Sequence, residues 1–342
     1  MKTEWIGRAG LCLLAAAVGC GGSRTLEEDK AQALTDTKAY IQGSLDELVA
    51  AAVALQAAAP APQADGWNAA RDAAAIAAMK VQWKRARTAY EHIEGAIALL
   101  FPELDVSTDE RYDGFLSDFG EDSDLFDRQG VTGIHAIERI LYSDAIPQRV
   151  IDFEKGLSGY HPAAFPKNAD EATRFKTQLC QRLVEDLNTM NGQFKPLALD
   201  PAAAWLGVIG SMREQVEKAD KAATGEEESR YAQFTLADMR ANVEAGAKTY
   251  AAFRGWLLGS GGAAQDAQIR AGFDALTARY AAISGDALPA VPATWSSTNP
   301  TAADLATPFG QLWTALAAQA DDTKAGSLVS AMASAAVLLK IK

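Results

Sequence analysis

The sequence predicts an all-α fold, and three observations carry that prediction. Alanine is abundant, runs of β-branched residues are few, and long segments contain no proline. Alanine is the strongest helix former, whereas proline ends a helix. Apolar residues recur at three- and four-residue steps, which places them on one face of a helix. We therefore expect two helical bundles side by side, compatible with an internal duplication although no clean sequence repeat is visible.

The first part of the chain predicts two long helices followed by an acidic loop. The first helix covers Leu26–Ala58 and ends at the proline break of residues 60–62. The second is capped by Asp65 and continues to about Leu100. Residues 103–130 are dense in Asp, Glu and Gly, which indicates a long loop of the kind that is usually functional or mobile.

The remainder of the chain repeats this helical style. Proline at a predicted first helical turn, as at Pro201, supports a helix start there. We assign residues 31–198 to an N-terminal lobe and residues 199–342 to a C-terminal lobe. The further helices are expected at about 132–142, 170–190, 201–223, 226–258, 264–284 and 301–339.

The N-terminus predicts a bacterial lipoprotein. The apolar run Leu11–Val18 is too short to span a bilayer and is typical of a secretory signal. It leads into Gly19-Cys20, which resembles the end of a lipobox. We expect residues 1–19 to be removed as a signal peptide and Cys20 to be lipidated, which would anchor the protein stably through several acyl chains.

The expected location is the cell envelope, facing the periplasm, with residues 20–30 as the lipidated tether. Gly21 follows Cys20 where aspartate is the usual inner-membrane retention signal, which favours the outer membrane. Cys180 is then the one thiol left in the mature chain, so no internal disulfide is expected. The formal net charge of −12 disfavours nucleic acid and favours cations. We expect a monomer.

Two predicted helices each carry a pair of ligand-type side chains three residues apart. Glu91 and Glu94 form one pair, and His135 and Glu138 form the other. This spacing puts both members of a pair on one side of a helix, so the two pairs can converge on one ion inside a bundle. The alternatives are a solvated helix edge for the glutamates and a core histidine paired with a carboxylate.

The acidic loop adds residues that would close such a site from the side. Asp105 and Asp109 supply further carboxylates, and Arg111 would neutralise spare charge when no metal is bound. Taken alone, these residues are also what an ordinary solvated loop contains. A mixed set of one imidazole and several carboxylates fits iron, manganese or zinc better than an ion that prefers oxygen alone.

In these motifs the chain resembles the imelysin/EfeO family, over roughly residue 30 to the end. The matching elements, in order, are Tyr90-Glu91-x-Ile93-Glu94, Leu104-Asp105-x-x-x-Asp109-x-Arg111, Gly133-x-His135-x-x-Glu138 and Thr224-Gly225-Glu226-Glu227 with Tyr231, Asp238 and Ala241-Asn242-Val243-Glu244. The resemblance implies an all-helical, two-lobed fold with a metal site near the cleft. Its implied ligands are Glu91, Glu94, Asp109, His135, Glu138 and Glu227, supported by Asp105, Arg111 and Gly133.

One ligand and the metal stay open at this point. An extra residue before Tyr231 leaves Glu226 or Glu228 as alternatives to Glu227. Ala232-Gln233 and Tyr142 also depart from the family pattern. The first motif leans towards the EfeO/EfeM branch, which implies periplasmic iron uptake with a permease or other transport partner. Iron is therefore the expected metal, with zinc, manganese and copper as alternatives.

Two other functions compete with metal acquisition. Some relatives are described as peptidases, but the sequence contains neither HExxH nor GxSxG. Other relatives bind acidic polysaccharides, and an acidic protein would need a bridging cation to do so. The sequence thus favours a metal-binding protein, with a metal-dependent peptidase or a cation-dependent polysaccharide- or partner-binding module as alternatives.

Overall fold

The structure, a computed structural model, describes residues 24–342. The described chain consists of helices and their connections, without β-strands, so the predicted all-α fold is confirmed. The expected signal peptide, Cys20 and the start of the tether lie outside the described residues. Among the described helices, none combines the length and apolar character that crossing a bilayer requires.

The helices vary from single turns to more than thirty residues. A π-helical turn, Phe175–Leu179, joins α8 to α9. In chain order the helices are α1 (Leu26–Ala58), α2 (Ala73–Glu91), α3 (Glu94–Leu100), α4 (Pro102–Asp109), α5 (Tyr112–Phe119), α6 (Gly133–Leu141), α7 (Gln148–Glu154), α8 (Ala169–Arg174), α9 (Cys180–Phe194), α10 (Pro201–Ala222), α11 (Thr235–Gly259), α12 (Ala263–Ala281), α13 (Ala302–Leu305), α14 (Pro308–Ala320) and α15 (Leu328–Leu339).

Local chemistry accounts for the helices that were predicted most closely. At the start of α1, Thr25 and Glu28 form a capping box, in which each side chain satisfies a backbone N–H of the other. At the start of α10, the Asp200 side chain accepts a hydrogen bond from the N–H of Ala202 and Pro201 occupies the first turn. These signals depend only on neighbouring residues, which is why the sequence locates both starts.

Helices from both halves of the chain pack together. The long helix α1 packs along α2, α9 and α11, and α3 packs against α10. The α3–α10 crossing needs glycine on both sides, because a Cβ on Gly95 would lie 2.5 Å from the Gly207 carbonyl oxygen and a Cβ on Gly207 2.3 Å from that of Gly95. This close approach brings the α2–α3 junction beside α10. The division into two lobes at residue 198 stays a prediction.

Four predicted segments differ from the structure. The helix expected from Asp65 to about Leu100 begins only at Ala73 and is divided into α2 and α3. The expected loop of residues 103–130 contains most of α4 and all of α5, and the expected helix of residues 301–339 is divided into α13, α14 and α15. The helix expected over 226–258 begins only at Thr235. Residues 226–234 instead form turns whose buried polar groups bond to other elements, so tertiary contacts outweigh helix propensity there.

Candidate metal centre

Three ligand-type side chains meet where α4, α6 and the 226–234 segment converge. One ligand atom each from Asp109, His135 and Glu228 lies within 4.8 Å of the others. The Nε2 atom of His135 is 3.4 Å from Asp109 Oδ1 and 3.5 Å from Glu228 Oε1. His135 and Glu228 are buried, and Asp109 is slightly exposed. We call these residues the triad.

Gly133 sets the approach of α6 to α4. It has a φ of +85°, and a Cβ at this position would lie 2.2 Å from the carbonyl oxygen of Thr108. Only glycine permits this conformation and contact together. On the far side, the Trp83 indole N–H donates to the Ile134 carbonyl oxygen at 3.0 Å and holds α6 against α2. Gly133 therefore places His135 beside Asp109, the residue that follows Thr108.

Glu138 orients the histidine from behind. Its Oε2 atom lies 2.8 Å from His135 Nδ1. Its other oxygen accepts the backbone N–H groups of Tyr231 at 3.0 Å and Ala232 at 2.8 Å. Both oxygens of Glu138 are thus engaged, and a proton held on Nδ1 by Glu138 makes Nε2 the ring nitrogen that can bind a metal once its own proton is displaced. Glu138 fits the role of a positioning group that joins α6 to the segment carrying Glu228.

The Nε2 atom of His135 is buried without a hydrogen-bond partner among the described residues. A buried polar atom without a hydrogen bond destabilises the folded state unless a ligand, an ion or a water molecule interacts with it. One imidazole nitrogen facing two carboxylates is a donor set that suits zinc, iron or manganese. The residues of the triad therefore fit a metal ion.

A buried arginine lies directly beside the triad. The guanidinium of Arg87 is fully buried on α2 and forms ion pairs with Glu91 and Asp109. It also lies 3.3 Å from Glu228 Oε1 and 3.5 Å from Asp238 Oδ1. Arg87 thus supplies positive charge to four carboxylates that would otherwise repel one another.

A buried lysine of α10 lies on the other side of Glu228. The Nζ atom of Lys218 is surrounded by four side-chain oxygens. Burial lowers the pKa of this amine, but the carboxylates of Glu228 and Glu91 oppose burial and raise the pKa well above its usual range. The group is therefore an ammonium ion at neutral pH. Its neighbours are Glu91 Oε2 at 3.3 Å, Glu94 Oε2 at 3.3 Å, Asn242 Oδ1 at 3.3 Å and Glu228 Oε2 at 3.8 Å.

The residues predicted from the sequence divide between these groups. Asp109 and His135 belong to the triad and Glu138 lies behind it, whereas Glu91 and Glu94 contact the two cations instead. The Glu227 carboxylate points away, pairing with Arg149 and accepting from Gln233 Nε2 at 2.7 Å. Glu228, held open as an alternative, takes the place expected for Glu227.

The supporting residues lie around the same cluster. Asp105 accepts a hydrogen bond from the buried Tyr90 hydroxyl. Arg111 Nη1 is 3.6 Å from Glu228 Oε2, near enough to balance charge as expected. Sequence reasoning missed Arg87 and Lys218, although Arg87 lies four residues before Glu91 on the same helix face, the spacing of an ion pair.

Two residues of the triad, Asp109 and His135, have raised pKa values, each for a different reason. Burial raises the pKa of Asp109 to about 7, although Arg87 and His135 oppose the shift. For His135, burial lowers the pKa, but Asp109 together with Glu138 and Glu228 outweighs it and raises the pKa to about 9. At neutral pH the imidazole is therefore protonated, and an incoming metal ion must displace that proton.

Exchanging Glu138 for glutamine should weaken metal binding without abolishing it. Glu138→Gln keeps the size of the side chain but replaces the carboxylate that orients His135, and loss of such a partner costs about 10- to 100-fold in affinity. Isothermal titration with Zn²⁺ measures this. Glu121→Gln, at an exposed carboxylate paired with His161, is the control and should leave the affinity unchanged. Equal affinities in both variants would contradict the positioning role.

The chain is similar to known proteins in sequence and in fold. The family model described as Peptidase_M75: Imelysin matches residues 38–323. Among solved structures, the crystal structure of an imelysin-like protein from Psychrobacter arcticum 273-4 matches with a TM-score of 0.59 at 13% sequence identity, covering 93% of this chain and 98% of that chain. At this identity the likeness shows a shared fold. No curated protein sequence matches the chain.

Proposed function

Since this chain belongs to the imelysin family, we propose that it binds a metal ion at the triad of Asp109, His135 and Glu228. The observation that carries the proposal is the buried Nε2 atom of His135, which faces two carboxylates and has no hydrogen-bond partner in the part of the chain that the structure describes. Glu138 holds the ring so that this nitrogen faces the carboxylates. Such support behind a histidine is typical of metal ligands.

The charge balance of the cluster also favours a cation. Five carboxylates surround three permanent cations, Arg87, Lys218 and Arg111, so two carboxylates lack a fixed counter-charge. Burial, with a smaller contribution from the negative charge of Glu228, raises the pKa of Asp238 to about 6 and that of Asp109 to about 7, and the second contribution reflects this excess. A divalent or trivalent ion would relieve it. The five carboxylates are those of Glu91, Glu94, Asp109, Glu228 and Asp238.

We further propose that the metal is iron and that the protein takes part in iron acquisition in the cell envelope. The support is the lipobox-like sequence ending at Cys20, the expected periplasmic address and the EfeO/EfeM-like motifs. In this proposal the protein is a lipid-anchored monomer that passes the ion to a permease or another transport partner. Competitive titration with iron, zinc, manganese and copper tests the identity of the metal.

Two neighbouring glutamates give a matched test of the site. Glu228→Gln removes a carboxylate of the triad, whereas Glu227→Gln removes one that pairs with Arg149. We expect the first change to lower Zn²⁺ affinity about 10- to 100-fold or more and the second to leave it within about twofold of the native value. Titration calorimetry on the full chain, with circular dichroism to verify folding, measures both.

The two glutamate variants also distinguish the alternatives. If Glu227→Gln loses the metal and Glu228→Gln retains it, the binding segment adopts another register in the metal-bound protein and the triad is not the site. If the native protein binds none of iron, zinc, manganese and copper, the proposed function itself is refuted.

Metal affinity should rise with pH between about 7 and about 9. The pKa values of Asp109, about 7, and His135, about 9, both lie above the usual values, so protons compete with the metal below them. Affinity should therefore increase as pH rises, by up to about tenfold per pH unit for each displaced proton. Chelator competition at pH 7, 8 and 9 measures this, and an affinity independent of pH would contradict proton displacement.

A metal-dependent peptidase is the second candidate. The observation that favours it is the three-residue ligand set, since catalytic zinc sites commonly use three protein ligands and keep one position for water. Its test is cleavage of an unfolded protein substrate in the presence of Zn²⁺. Activity that disappears in Glu228→Gln and persists in Glu227→Gln would support hydrolysis, whereas no cleavage by the native protein would exclude it for that substrate.

A further inference from the structure

The Lys218 ammonium occupies a position that resembles a cation site built from oxygens. Lys218 is buried, and its Nζ atom lies 3.3 Å from both Glu91 Oε2 and Glu94 Oε2. Asn242 Oδ1 is also at 3.3 Å, and Glu228 Oε2 is at 3.8 Å. Three carboxylates and an amide carbonyl are the ligand types that hard or borderline metal ions take. The ammonium therefore stands where an ion would be held.

The contacts of this position are longer than those of a tight ion pair. Charge-assisted N–H···O bonds usually measure about 2.7–2.9 Å. The ammonium of Lys218 is instead shared among its four oxygens without a single short contact. The surrounding oxygens thus form a cage around a cation, and no one carboxylate is a dedicated partner of the lysine.

Other contacts hold the cage in place. The Asn242 amide nitrogen donates to the Glu91 carbonyl oxygen and to Glu94 Oε2, both at 3.0 Å. These bonds turn Oδ1 of the amide towards Lys218. The close crossing at Gly95 and Gly207 fixes α3, which carries Glu94, against α10, which carries Lys218. The cage is therefore built into the packing of α3, α10 and α11.

Glu228 links the cage to the triad. Its Oε1 atom faces His135 Nε2 at 3.5 Å, and its Oε2 atom faces Lys218 Nζ at 3.8 Å. A carboxylate with one oxygen towards each of two cation positions is the arrangement of carboxylate-bridged two-metal centres in helical bundles. The buried Nε2 atom of His135, without a hydrogen bond to residues 24–342, marks the first of these positions, and the lysine ammonium marks the second.

We infer that the cage around Lys218 is a second cation position, which the chain fills with its own ammonium so that the centre takes one metal ion instead of two. The inference rests on the proposed metal-binding function of the triad. Lys218 then acts as a tethered substitute for a second ion, and removing its charge should open the cage to an exogenous divalent cation.

The test is the stoichiometry of Zn²⁺ binding to the full chain. We expect one equivalent for the native protein and two for Lys218→Met, measured by titration calorimetry and by elemental analysis after dialysis. Lys218→Arg, which keeps the positive charge, is the matched control and should bind one equivalent. Loading with Mn²⁺ gives an independent readout, because two manganese ions bridged by Glu228 would show magnetic coupling in the electron paramagnetic resonance spectrum.

Three further variants protect the test against misfolding and against a failed triad. Lys218→Gln removes the charge but retains an amide that can donate to the carboxylates, so it should fold and also bind two equivalents. His135→Ala/Lys218→Met should retain one equivalent in the cage, whereas His135→Ala alone should bind none. The comparison of the double variant with His135→Ala separates ion binding in the cage from ion binding at the triad.

The results that would overturn the inference are specific. One equivalent in both Lys218→Met and Lys218→Gln, with folding verified by circular dichroism, would show that the cage does not accept an ion. Two equivalents in the native protein would show that the ammonium does not block it. Zero equivalents in the native protein, with one equivalent in Lys218→Met that persists when His135 is also replaced, would support the cage and refute the triad.

Discussion

Replacing His135 by alanine should abolish specific metal binding, lowering Zn²⁺ affinity by at least about 100-fold. His135 supplies the nitrogen of the triad, and its Nε2 atom is the buried group without a partner among the described residues that a metal would satisfy. Loss of a residue that orients a metal ligand already lowers metal affinity about 10- to 100-fold, so loss of the ligand itself should lower the affinity further. Titration calorimetry on the full chain measures the change.

His161→Ala is the matched control for this variant. His161 is 43% exposed and pairs with Glu121 on the surface. It should retain the native affinity, which shows that the loss in His135→Ala does not come from removing any histidine. Native affinity in a folded His135→Ala protein would place the metal elsewhere and contradict the proposed site.

Replacing Arg87 by methionine should destabilise the metal-free protein by about 3–5 kcal/mol in free energy of unfolding. The side chain is fully buried and balances Glu91, Asp109, Glu228 and Asp238. Removing one partner of a buried ion pair leaves unpaired charge in a medium that solvates it poorly. Urea denaturation followed by circular dichroism measures the change, and added Zn²⁺ should recover part of the loss because it binds the folded state.

Arg85→Met provides the comparison for Arg87→Met on the same helix. Arg85 pairs with Glu47 at the surface, with side-chain exposures of 43% and 44%. Exposed pairs contribute about 0–1 kcal/mol, so this variant should remain close to native stability. Equal and small losses in free energy of unfolding for Arg87→Met and Arg85→Met would show that the buried carboxylates of the cluster are protonated. Such carboxylates would not need the charge of Arg87.

The parts of the fold that local signals determine could be predicted from the sequence. The bounds of α1 agree with those expected, because a capping box begins the helix and a proline-rich break follows it. The starts of α10 and α12 were also located within a residue. The 226–234 segment could not be predicted, because its buried Glu228, Ser229 and Arg230 contact α6, α11 and α5, and those contacts do not show in local sequence.

Part of the candidate site could likewise be predicted from the sequence, and part could not. His135 and Glu138 follow from their spacing on an apolar helix, and Asp109 from its place in an acidic segment between the two motif-bearing helices. Choosing Glu228 over Glu227 required the turn geometry, since neighbouring residues in a turn point in different directions without a fixed period. Lys218 was missed because a lone lysine on a long helix predicts a solvent-facing side chain, and only packing buries it.

The most direct test of the metal centre is the anomalous scattering of metal-loaded crystals. The protein would be crystallised with Zn²⁺, and data would be collected above and below the zinc absorption edge. Our account predicts one strong peak within about 2.0–2.2 Å of His135 Nε2 and of a carboxylate oxygen each from Asp109 and Glu228. A strong peak elsewhere, with His135 Nε2 still unpartnered, would contradict it.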